Sequence, residues 1–363
     1  MSDEVLPPER LVRRAKTELA REMLDRVAPA VLTVHKDGVL RCVACAHRCA
    51  FPDDRVGACG TRHSRGGTLY APRGWVARRY VRAVETNTVY HVLPGAKALT
   101  FGLYGCDLRC PYCHNSRISQ ALRDGAEDES ATPITAEALV NEAIAAGCEV
   151  ICAAYNEPMI AAEWVVEVFT EAKARGLVTV IVSDGHTTPE ALAFVRPVTD
   201  CYRVDLKGFS AEQYKTLGGR LEPVLAAIRE AKRLGMWVEV VTLVVPGFND
   251  DARGLRDLAK HIAAVDVGIP WHLNAFQPRY RMTDRPAMDT GTLVSLAGTA
   301  YARGLQFVYA SNTGFVELEH TRCPSCHTLL VERDNFTTRK SLIGPDGTCP
   351  ACAARVPGLF RRS

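Results

Sequence analysis

The chain has 363 residues and a formal net charge of +3, and 47% of its residues are hydrophobic. This composition excludes a largely disordered chain, and the near-zero charge predicts no bulk nucleic acid as a partner. Its 14 cysteines are too few for a short disulfide scaffold but more than core packing requires, so we expect most of them to bind metal or do chemistry.

Residues 9–28 have the pattern of an amphipathic helix, which we expect to pack against the rest of the chain or a partner rather than a membrane. The longest apolar stretch, residues 237–248, is too short to span a bilayer. The first residues lack the apolar core of a secretory signal. We therefore expect a cytoplasmic protein without a membrane partner, whose thiols stay reduced.

The first cysteine group has the spacing C-x2-C-x3-C-x9-C. Its members are Cys42, Cys45, Cys49 and Cys59. Four thiolates suit zinc, in which case His47 could replace one of them, and they also suit an auxiliary iron–sulfur cluster. The spacing predicts a metal site and leaves the metal open. The arginine-rich residues 60–90 that follow are expected to form a solvated face.

The second cysteine group is a triplet with the spacing C-x3-C-x2-C. Its members are Cys106, Cys110 and Cys113. Three thiolates can hold three corners of a 4Fe–4S cluster and leave the fourth iron open; the alternatives are zinc completed by His114 and a structural cluster with a distant fourth ligand. The triplet follows an apolar strand at residues 98–103, and active sites of α/β barrels lie at that end of a strand.

Downstream of the triplet, strand-like and helix-like segments alternate, which predicts parallel βαβ units. The predicted strands are 98–103, 149–154, 178–183, 202–206, 237–245, 271–276 and 305–309. The predicted helices are 136–146, 159–175, 189–195, 223–234, 252–264 and 292–302. Three further cysteines, Cys148, Cys152 and Cys201, lie in or beside these strands and are expected to be core thiols.

Polar residues follow three of the predicted strands, at residues 155–158, 183–186 and 205–207. Each group alone is a common loop feature. Together at the carboxyl ends of parallel strands, they could satisfy the ammonium, carboxylate and ribose hydroxyls of a small polar cofactor.

The last cysteine group consists of two C-x2-C pairs with 22 residues between them. Its members are Cys323, Cys326, Cys349 and Cys352. This pattern is typical of a structural zinc ribbon, in which four thiolates surround one ion, and a rubredoxin-like iron is the alternative.

The triplet and its surroundings resemble the radical S-adenosylmethionine (SAM) superfamily, whose signature C-x3-C-x-aromatic-C is matched with Tyr112 as the aromatic residue. Within it, the chain is similar to the pyruvate formate-lyase activating enzymes and more closely to the radical SAM enzyme of the AmmeMemoRadiSam system. The segments that carry this similarity are 90–95, 113–119, 155–158, 205–207, 242–250 and 270–276.

The resemblance implies an α/β fold with a partial (β/α)6 radical SAM barrel at residues 91–315. Before it we expect an N-terminal amphipathic helix in residues 1–35 and a Cys-rich metal-binding module at 36–90. After it we expect a zinc-ribbon-like module at 316–363.

The resemblance also implies the function. A 4Fe–4S cluster on the triplet would reductively cleave SAM to a 5'-deoxyadenosyl radical, which abstracts hydrogen from a small-molecule or protein substrate. An electron donor such as flavodoxin or ferredoxin would supply the electron. The alternatives are an activase that makes a glycyl radical on a partner protein and, outside enzymes, a multi-zinc structural or regulatory module.

The family's cofactor contacts fall on residues of this sequence. They are Tyr112, Asn156, Glu157, Ser183, Asp205, Lys207 and His272. One departure concerns Asp184, which stands where the family pattern has Asn. Because an acid in place of an amide loses a donor, the resemblance does not assign Asp184 to the methionine carboxylate. No further catalytic residue is assigned.

Overall fold

The computed structural model of the chain describes residues 17–125 and 131–360. Its N-terminal part contains the helix α1 (Glu18–Met23) and seven short strands. The strands are β1 (Val27–Pro29), β2 (Thr33–Lys36), β3 (Val39–Cys42), β4 (Ala50–Phe51), β5 (His63–Arg65), β6 (Thr68–Pro72) and β7 (Trp75–Val76). Six of these strands form two small sheets, in the orders β1-β6-β5 and β2-β3-β4.

The amphipathic helix predicted for residues 9–28 is only partly within the described residues, since residues 1–16 lie outside them. Within the described part, α1 begins after Thr17, whose side-chain oxygen accepts a hydrogen bond from the Ala20 amide at 3.0 Å. From Val27 the chain is a strand, because it pairs antiparallel with β6. Long-range pairing therefore overrides the helical pattern there.

The central sheet is built from the middle of the chain. The next strands are β8 (Arg78–Ala83), β9 (Lys97–Gly102), β10 (Thr132–Pro133), β11 (Val150–Ala153), β12 (Val178–Ser183), β13 (Cys201–Asp205), β14 (Trp237–Val244), β15 (Trp271–Ala275) and β16 (Val308–Ser311). Their order in the sheet is β16-β15-β14-β13-β12-β11-β9-β8, while β10 pairs with β7. Seven described strands are parallel, and β8 is antiparallel to β9.

Helices connect the parallel strands. They are α2 (Ser116–Ser119), α3 (Ala121–Asp124), α4 (Ala136–Ala145), α5 (Ala162–Ala174), α6 (Pro189–Val195), α7 (Ala211–Thr216), α8 (Leu221–Arg233), α9 (Ala252–Val265) and α10 (Thr290–Tyr301). Short 3-10 turns occupy Val84–Asn87, Pro158–Ala161, Arg196–Val198 and Val316–Glu319. The predicted βαβ alternation is confirmed, with a mostly parallel sheet. No described helix is long and apolar enough to cross a membrane.

The central sheet starts earlier in the chain than the predicted boundary at residue 91. Strand β8 begins at Arg78 and adds an antiparallel edge to the parallel strands. The chain between β8 and β9 then packs against one face of the sheet, where Val84, Val89 and Val92 contact the strand residues. The apolar residues of this connection recur with neither helical nor strand spacing, so the sequence did not predict that it packs against the sheet.

The two faces of the sheet are covered differently. The helices pack on one face and form the largest apolar cluster. The other face, which we call the inner face, is covered by residues 84–96, and its strand residues include Val150, Cys152 and Cys201. Cys152 and Cys201 have no exposed surface and Cys148 is buried, which confirms all three as core thiols.

The Glu239 carboxylate anchors residues 84–96 to the inner face. It accepts hydrogen bonds from the amides of Tyr90 and His91, both at 2.9 Å, from Trp237 Nε1 at 3.0 Å and from His272 Nε2 at 2.7 Å. Burial raises the pKa of Glu239, but the hydrogen bond and charge of His272 outweigh it, so the pKa falls to about 2. The carboxylate is therefore ionised and fully satisfied.

The C-terminal part forms a small antiparallel sheet of β17 (Thr321–Arg322), β18 (Leu329–Asp334) and β19 (Thr337–Ser341). It is joined to residues 84–96 by Arg333, which has 1% exposed surface. This guanidinium donates to the Tyr90 carbonyl at 2.8 Å and to the Thr321 hydroxyl at 2.8 Å. The C-terminal part is thus attached to the inner face by a buried charged side chain.

We expect Glu239→Gln to lower the free energy of unfolding by about 3 kcal/mol, because an amide turns an NH2 group toward donors that need an acceptor. Urea denaturation at pH 7 measures the loss. In the wild type, Glu239 contributes stability that is present above its unfolded pKa, near 4.5, and is lost as pH falls toward 2. The free energy of unfolding of the variant should lack this dependence on pH. If its pH profile matches that of the wild type, the role given to the carboxylate is wrong.

Candidate active site

The cysteine triplet lies in the loop after β9, and close packing fixes the path of that loop. Gly105 has φ +90°, and a Cβ atom there would lie 2.8 Å from the Cys59 carbonyl oxygen. A Cβ atom at Gly102 would lie 2.5 Å from the Ala154 carbonyl oxygen. Only glycine fits at these two positions, so the loop contacts both the first cysteine group and the end of β11.

Asn156 holds the triplet loop from the neighbouring strand end. Its side-chain oxygen accepts from the Leu103 amide at 3.0 Å, and its side-chain nitrogen donates to the Gly105 carbonyl at 3.0 Å. The amide side chain satisfies backbone groups that the strand ladder leaves open. Asn156 is 8% exposed, so these bonds are shielded from water.

A cavity of about 310 Å³ opens at the carboxyl ends of the parallel strands. The residues that line it include Cys106, Cys110, Tyr112, Cys113, His114, Tyr155, Asn156, Glu157, Asp184, Arg203, Asp205, Lys207, Asn274 and Asn312. The three thiols of the triplet and five of the seven cofactor contacts predicted from the sequence therefore share one cavity. Its size lies at the low end for small-molecule sites.

The described triplet thiols line the cavity without forming one compact ligand group. Among the described residues, the Cys106, Cys110 and Cys113 sulfurs do not form a group within 4.8 Å of one another, and His114 joins no such group. Burial raises the pKa of Cys106 and Cys110, so these thiols bind a metal as thiolates only when its charge compensates for their desolvation.

Three buried carboxyl groups lie next to Cys106. The Cys106 thiol donates to Asp184 Oδ2 at 4.0 Å, and the Asp184 amide donates to Glu157 Oε2 at 2.7 Å. Burial and the charges of Asp107 and Glu157 raise the pKa of Asp184 well above its usual range.

Asp107 belongs to a second cluster that the sequence did not predict. Its Oδ2 atom is 2.9 Å from His186 Nδ1, and both side chains are fully buried. His47 Nε2 lies 3.1 Å from the Asp107 carbonyl oxygen, and its ring packs edge-on against His186 at 4.8 Å. His47 thus faces the triplet loop and lies in none of the compact ligand groups with the first four cysteines.

Further charged residues line the same cavity. Asp205 Oδ2 is 2.9 Å from Lys207 Nζ, and Asp205 Oδ1 is 2.6 Å from Arg203 NH1. Burial lowers the pKa of Lys207, but the Asp205 carboxylate outweighs it, so the pKa lies well above its usual range. Arg203 was not predicted, although it is two residues before Asp205 in a strand and so must share its face.

Two predicted cofactor contacts do not line the cavity. Ser183 donates its hydroxyl to Glu157 Oε1 at 2.9 Å and so contacts the cavity wall from behind. His272 is fully buried and bonds Glu239 on the inner face below the cavity.

The four C-terminal cysteines form a compact group. All four sulfurs lie within 4.8 Å of one another, with Cys323 and Cys352 at 3.6 Å and Cys326 and Cys349 at 3.7 Å. Such separations suit four thiolates around one ion. This group is therefore a candidate metal site.

Comparison with protein families adds a direct identification. The model of the radical SAM superfamily matches residues 102–259, a span that starts at the end of β9 and includes the triplet. The chain belongs to the radical SAM superfamily. This radical SAM protein is 33% identical over 306 residues to an uncharacterized protein of Methanocaldococcus jannaschii, covering 84% of the chain and 90% of that protein.

Other relatives of this radical SAM protein have named activities. The pyruvate formate-lyase-activating enzyme of Streptococcus mutans is 27% identical over 212 residues, covering 51% of the chain and 80% of that enzyme. The solved structure of Streptococcus suis SuiB bound to S-adenosylmethionine has 11% identity and a TM-score of 0.48, covering 66% of the chain and 56% of SuiB. The radical SAM protein is thus an enzyme that uses SAM, a 4Fe–4S cluster and radical chemistry.

We expect Asn156→Ala to loosen the triplet loop, because the substitution removes the two side-chain hydrogen bonds that hold it. The free energy of unfolding should fall by about 2 kcal/mol. After anaerobic reconstitution, iron should be lost to a chelator faster than from the wild type. Asn141→Ala, which removes an exposed amide on α4, is the matched control. Equal iron release from the two variants would show that Asn156 does not hold the loop.

Proposed function

We propose that Cys106, Cys110 and Cys113 hold the 4Fe–4S cluster and that the adjoining cavity binds SAM. The proposal is carried by one observation: the three thiols and a set of buried charged groups line the same cavity at the carboxyl ends of the parallel strands. With both groups bound, they supply reductive cleavage of SAM and removal of a hydrogen atom from the substrate.

The polar groups of the cavity divide the binding of SAM among them. Asn156 and Glu157 line the cavity beside the triplet loop. The Glu157 carboxylate and the Gly105 carbonyl, to which the Asn156 side chain donates, can accept hydrogen bonds from the ammonium group of SAM. Asp205 also lines the cavity and can accept from ribose hydroxyls, while the Lys207 ammonium suits a carboxylate. Tyr112 lines the wall between the cysteines.

Ser183 and His272 act as positioning residues in this proposal. Ser183 orients the Glu157 carboxylate through its hydroxyl hydrogen bond. His272 acts through Glu239, which holds residues 84–96 beneath the cavity, where Thr86 and Thr88 form part of its lining. Neither side chain contacts the cofactor directly.

The substrate is either a small molecule or a side chain of a protein. The activase alternative is supported by relatives named as pyruvate formate-lyase-activating enzymes and as a putative glycyl-radical enzyme activating enzyme. The cavity of about 310 Å³ suits one cofactor-sized molecule, so the substrate would approach from the cavity mouth.

Several finer features belong to the same proposal. The first six parallel strands, each followed by a helix, form a partial (β/α)6 barrel to which β16 adds a seventh strand, and the C-terminal cysteines hold a structural zinc in a ribbon-like module. A flavodoxin or ferredoxin supplies electrons in the cytoplasm, where the 14 cysteines remain free thiols or metal ligands. The small net charge supports a role without bulk nucleic acid.

We expect Cys110→Ala to abolish SAM cleavage, since two thiolates cannot hold the cluster. The measurement is 5'-deoxyadenosine released after anaerobic reduction with dithionite. Zinc content should stay at about one per chain, because the C-terminal site is separate. Retained cleavage would disprove the role of the triplet, and a wild type that contains only zinc would favour the multi-zinc module instead.

Deuterium transfer into 5'-deoxyadenosine should identify the substrate class. The enzyme is incubated with SAM, reductant and one of two fractions of an anaerobic lysate from cells grown in D2O, small molecules or macromolecules. Transfer from the macromolecular fraction alone supports an activase, and transfer from the small-molecule fraction alone supports a small substrate. Protease treatment of the macromolecular fraction is the control, since it should remove a protein substrate.

A further inference from the structure

The first cysteine group differs in geometry from the C-terminal one. Within the described residues, no three of its sulfurs lie within 4.8 Å of one another, whereas the C-terminal four all do. Cysteines of the triplet are spread in the same way. Because four thiolates around one zinc ion must nearly touch, this group suits a larger inorganic core. The members of the group are Cys42, Cys45, Cys49 and Cys59.

The sulfurs of this group receive hydrogen bonds of the kind found at iron–sulfur sites. The Ala58 amide donates to Cys49 Sγ at 3.4 Å, and the Arg62 amide donates to Cys59 Sγ at 3.4 Å. The Arg62 guanidinium donates to Cys42 Sγ at 3.8 Å. Such donors stabilise charged sulfur and tune the reduction potential of a cluster.

Arg62 is itself an exception to the solvated basic face expected for residues 60–90. Its side chain is 2% exposed and forms an ion pair with Glu163, which also accepts from the amides of Val31 and Leu32. A guanidinium buried against a thiol needs a nearby anion to compensate for its lost hydration. Glu163 on α5 is that anion, and its bonds to the N-terminal chain fix its position. The site is therefore part of the folded core, not a loose loop.

The first group lies directly against the triplet loop. A single nitrogen of Arg123 donates to the Ala58 carbonyl at 2.7 Å and to the Cys106 carbonyl at 2.5 Å. On the other side, the Ala46 amide donates to the His186 carbonyl at 2.9 Å, and His186 bonds Asp107, the residue after Cys106. Two short hydrogen-bonded routes thus connect the two cysteine groups.

The group also reaches toward the surface. Cys42, Cys45 and Cys59 are between 4% and 7% exposed, whereas Cys49 is partly exposed. Cys59 lies close to the triplet loop, since a Cβ atom at Gly105 would lie 2.8 Å from its carbonyl oxygen, and Cys45 pairs through its backbone with Thr187 after β12. A redox centre here would have one side near solvent and the other near the active-site loop.

We propose that these four cysteines bind a second 4Fe–4S cluster that relays single electrons to the cluster on the triplet. A low-potential electron-transfer protein, itself oxidised by one electron, reduces the second cluster, which is reoxidised when it reduces the first. No bond forms or breaks in the relay. The electron-delivery role rests on the proposed function, whereas the metal assignment stands without it.

Metal content tests the assignment without any activity measurement. The wild type, purified anaerobically, should contain about eight iron and eight sulfide per chain, and the triple variant Cys106→Ala, Cys110→Ala, Cys113→Ala should keep about four of each, with the EPR signal of a reduced cluster. Zinc should be about one per chain in both. A triple variant without iron, or a second zinc per chain in either protein, would overturn the proposal, even if the wild type cleaves SAM normally.

A double variant tests the relay. Cys45→Ser, Cys49→Ser should lose about four iron, while Cys148→Ser, a substitution of a core thiol, should lose none. SAM cleavage by the double variant should persist with dithionite and be lost with reduced flavodoxin. An equal fall with both reductants would refute the relay. If the double variant does not fold, the triple variant still decides the metal, and flavodoxin reduction of its remaining cluster decides electron entry.

Discussion

The active site depends on how the inner face of the sheet is filled. Strands that are apolar on both faces must be covered on both, and here helices cover one face while residues 84–96 cover the other. The amides of this irregular segment cannot all join a strand ladder. Glu239 supplies a buried acceptor for two of them and is itself balanced by Trp237 and His272. The space left above this floor is the cavity.

The three groups of clustered cysteines differ in how their sulfurs are spaced in the folded chain. The C-terminal sulfurs are close enough to share one ion, and the other two groups are not. In sequence, the first and last groups each contain four cysteines, with one C-x2-C pair in the first group and two in the last. In the structure, the Arg62 guanidinium and the Ala58 amide donate to sulfurs of the first group, and Gly105 of the triplet loop lies against its backbone.

Much of this architecture could be predicted from the sequence. The strand at residues 178–183 and the helix at 189–195 have the predicted bounds, because buried β-branched runs and a Thr cap before Pro are strong local signals. The triplet and most polar residues at strand ends were also found, since parallel strands bring their carboxyl ends together. Local sequence signals were sufficient to predict a strand or helix wherever its apolar residues recur with the spacing of that element.

The rest depends on contacts between distant residues. Strand β8 and residues 84–96 carry no clear period, and only pairing with β9 and burial against Glu239 give them their structure. Arg62 reads as one more surface arginine until Glu163 lies beside it. His272 lies on the predicted strand, two residues before the cavity-lining Asn274, and its bond to the distant Glu239 could not be read from the local pattern.

Arg333 has a consequence for where the molecule can be divided. It lies in the C-terminal sheet, yet its guanidinium binds the Tyr90 carbonyl and lies 3.8 Å from the buried Glu85 carboxylate. Removing the chain after residue 315 would leave a buried anion and a bare carbonyl beneath the cavity. The C-terminal module is thus separable as a stretch of sequence but not as an independent folding unit, and a truncated enzyme would lose part of its active-site floor.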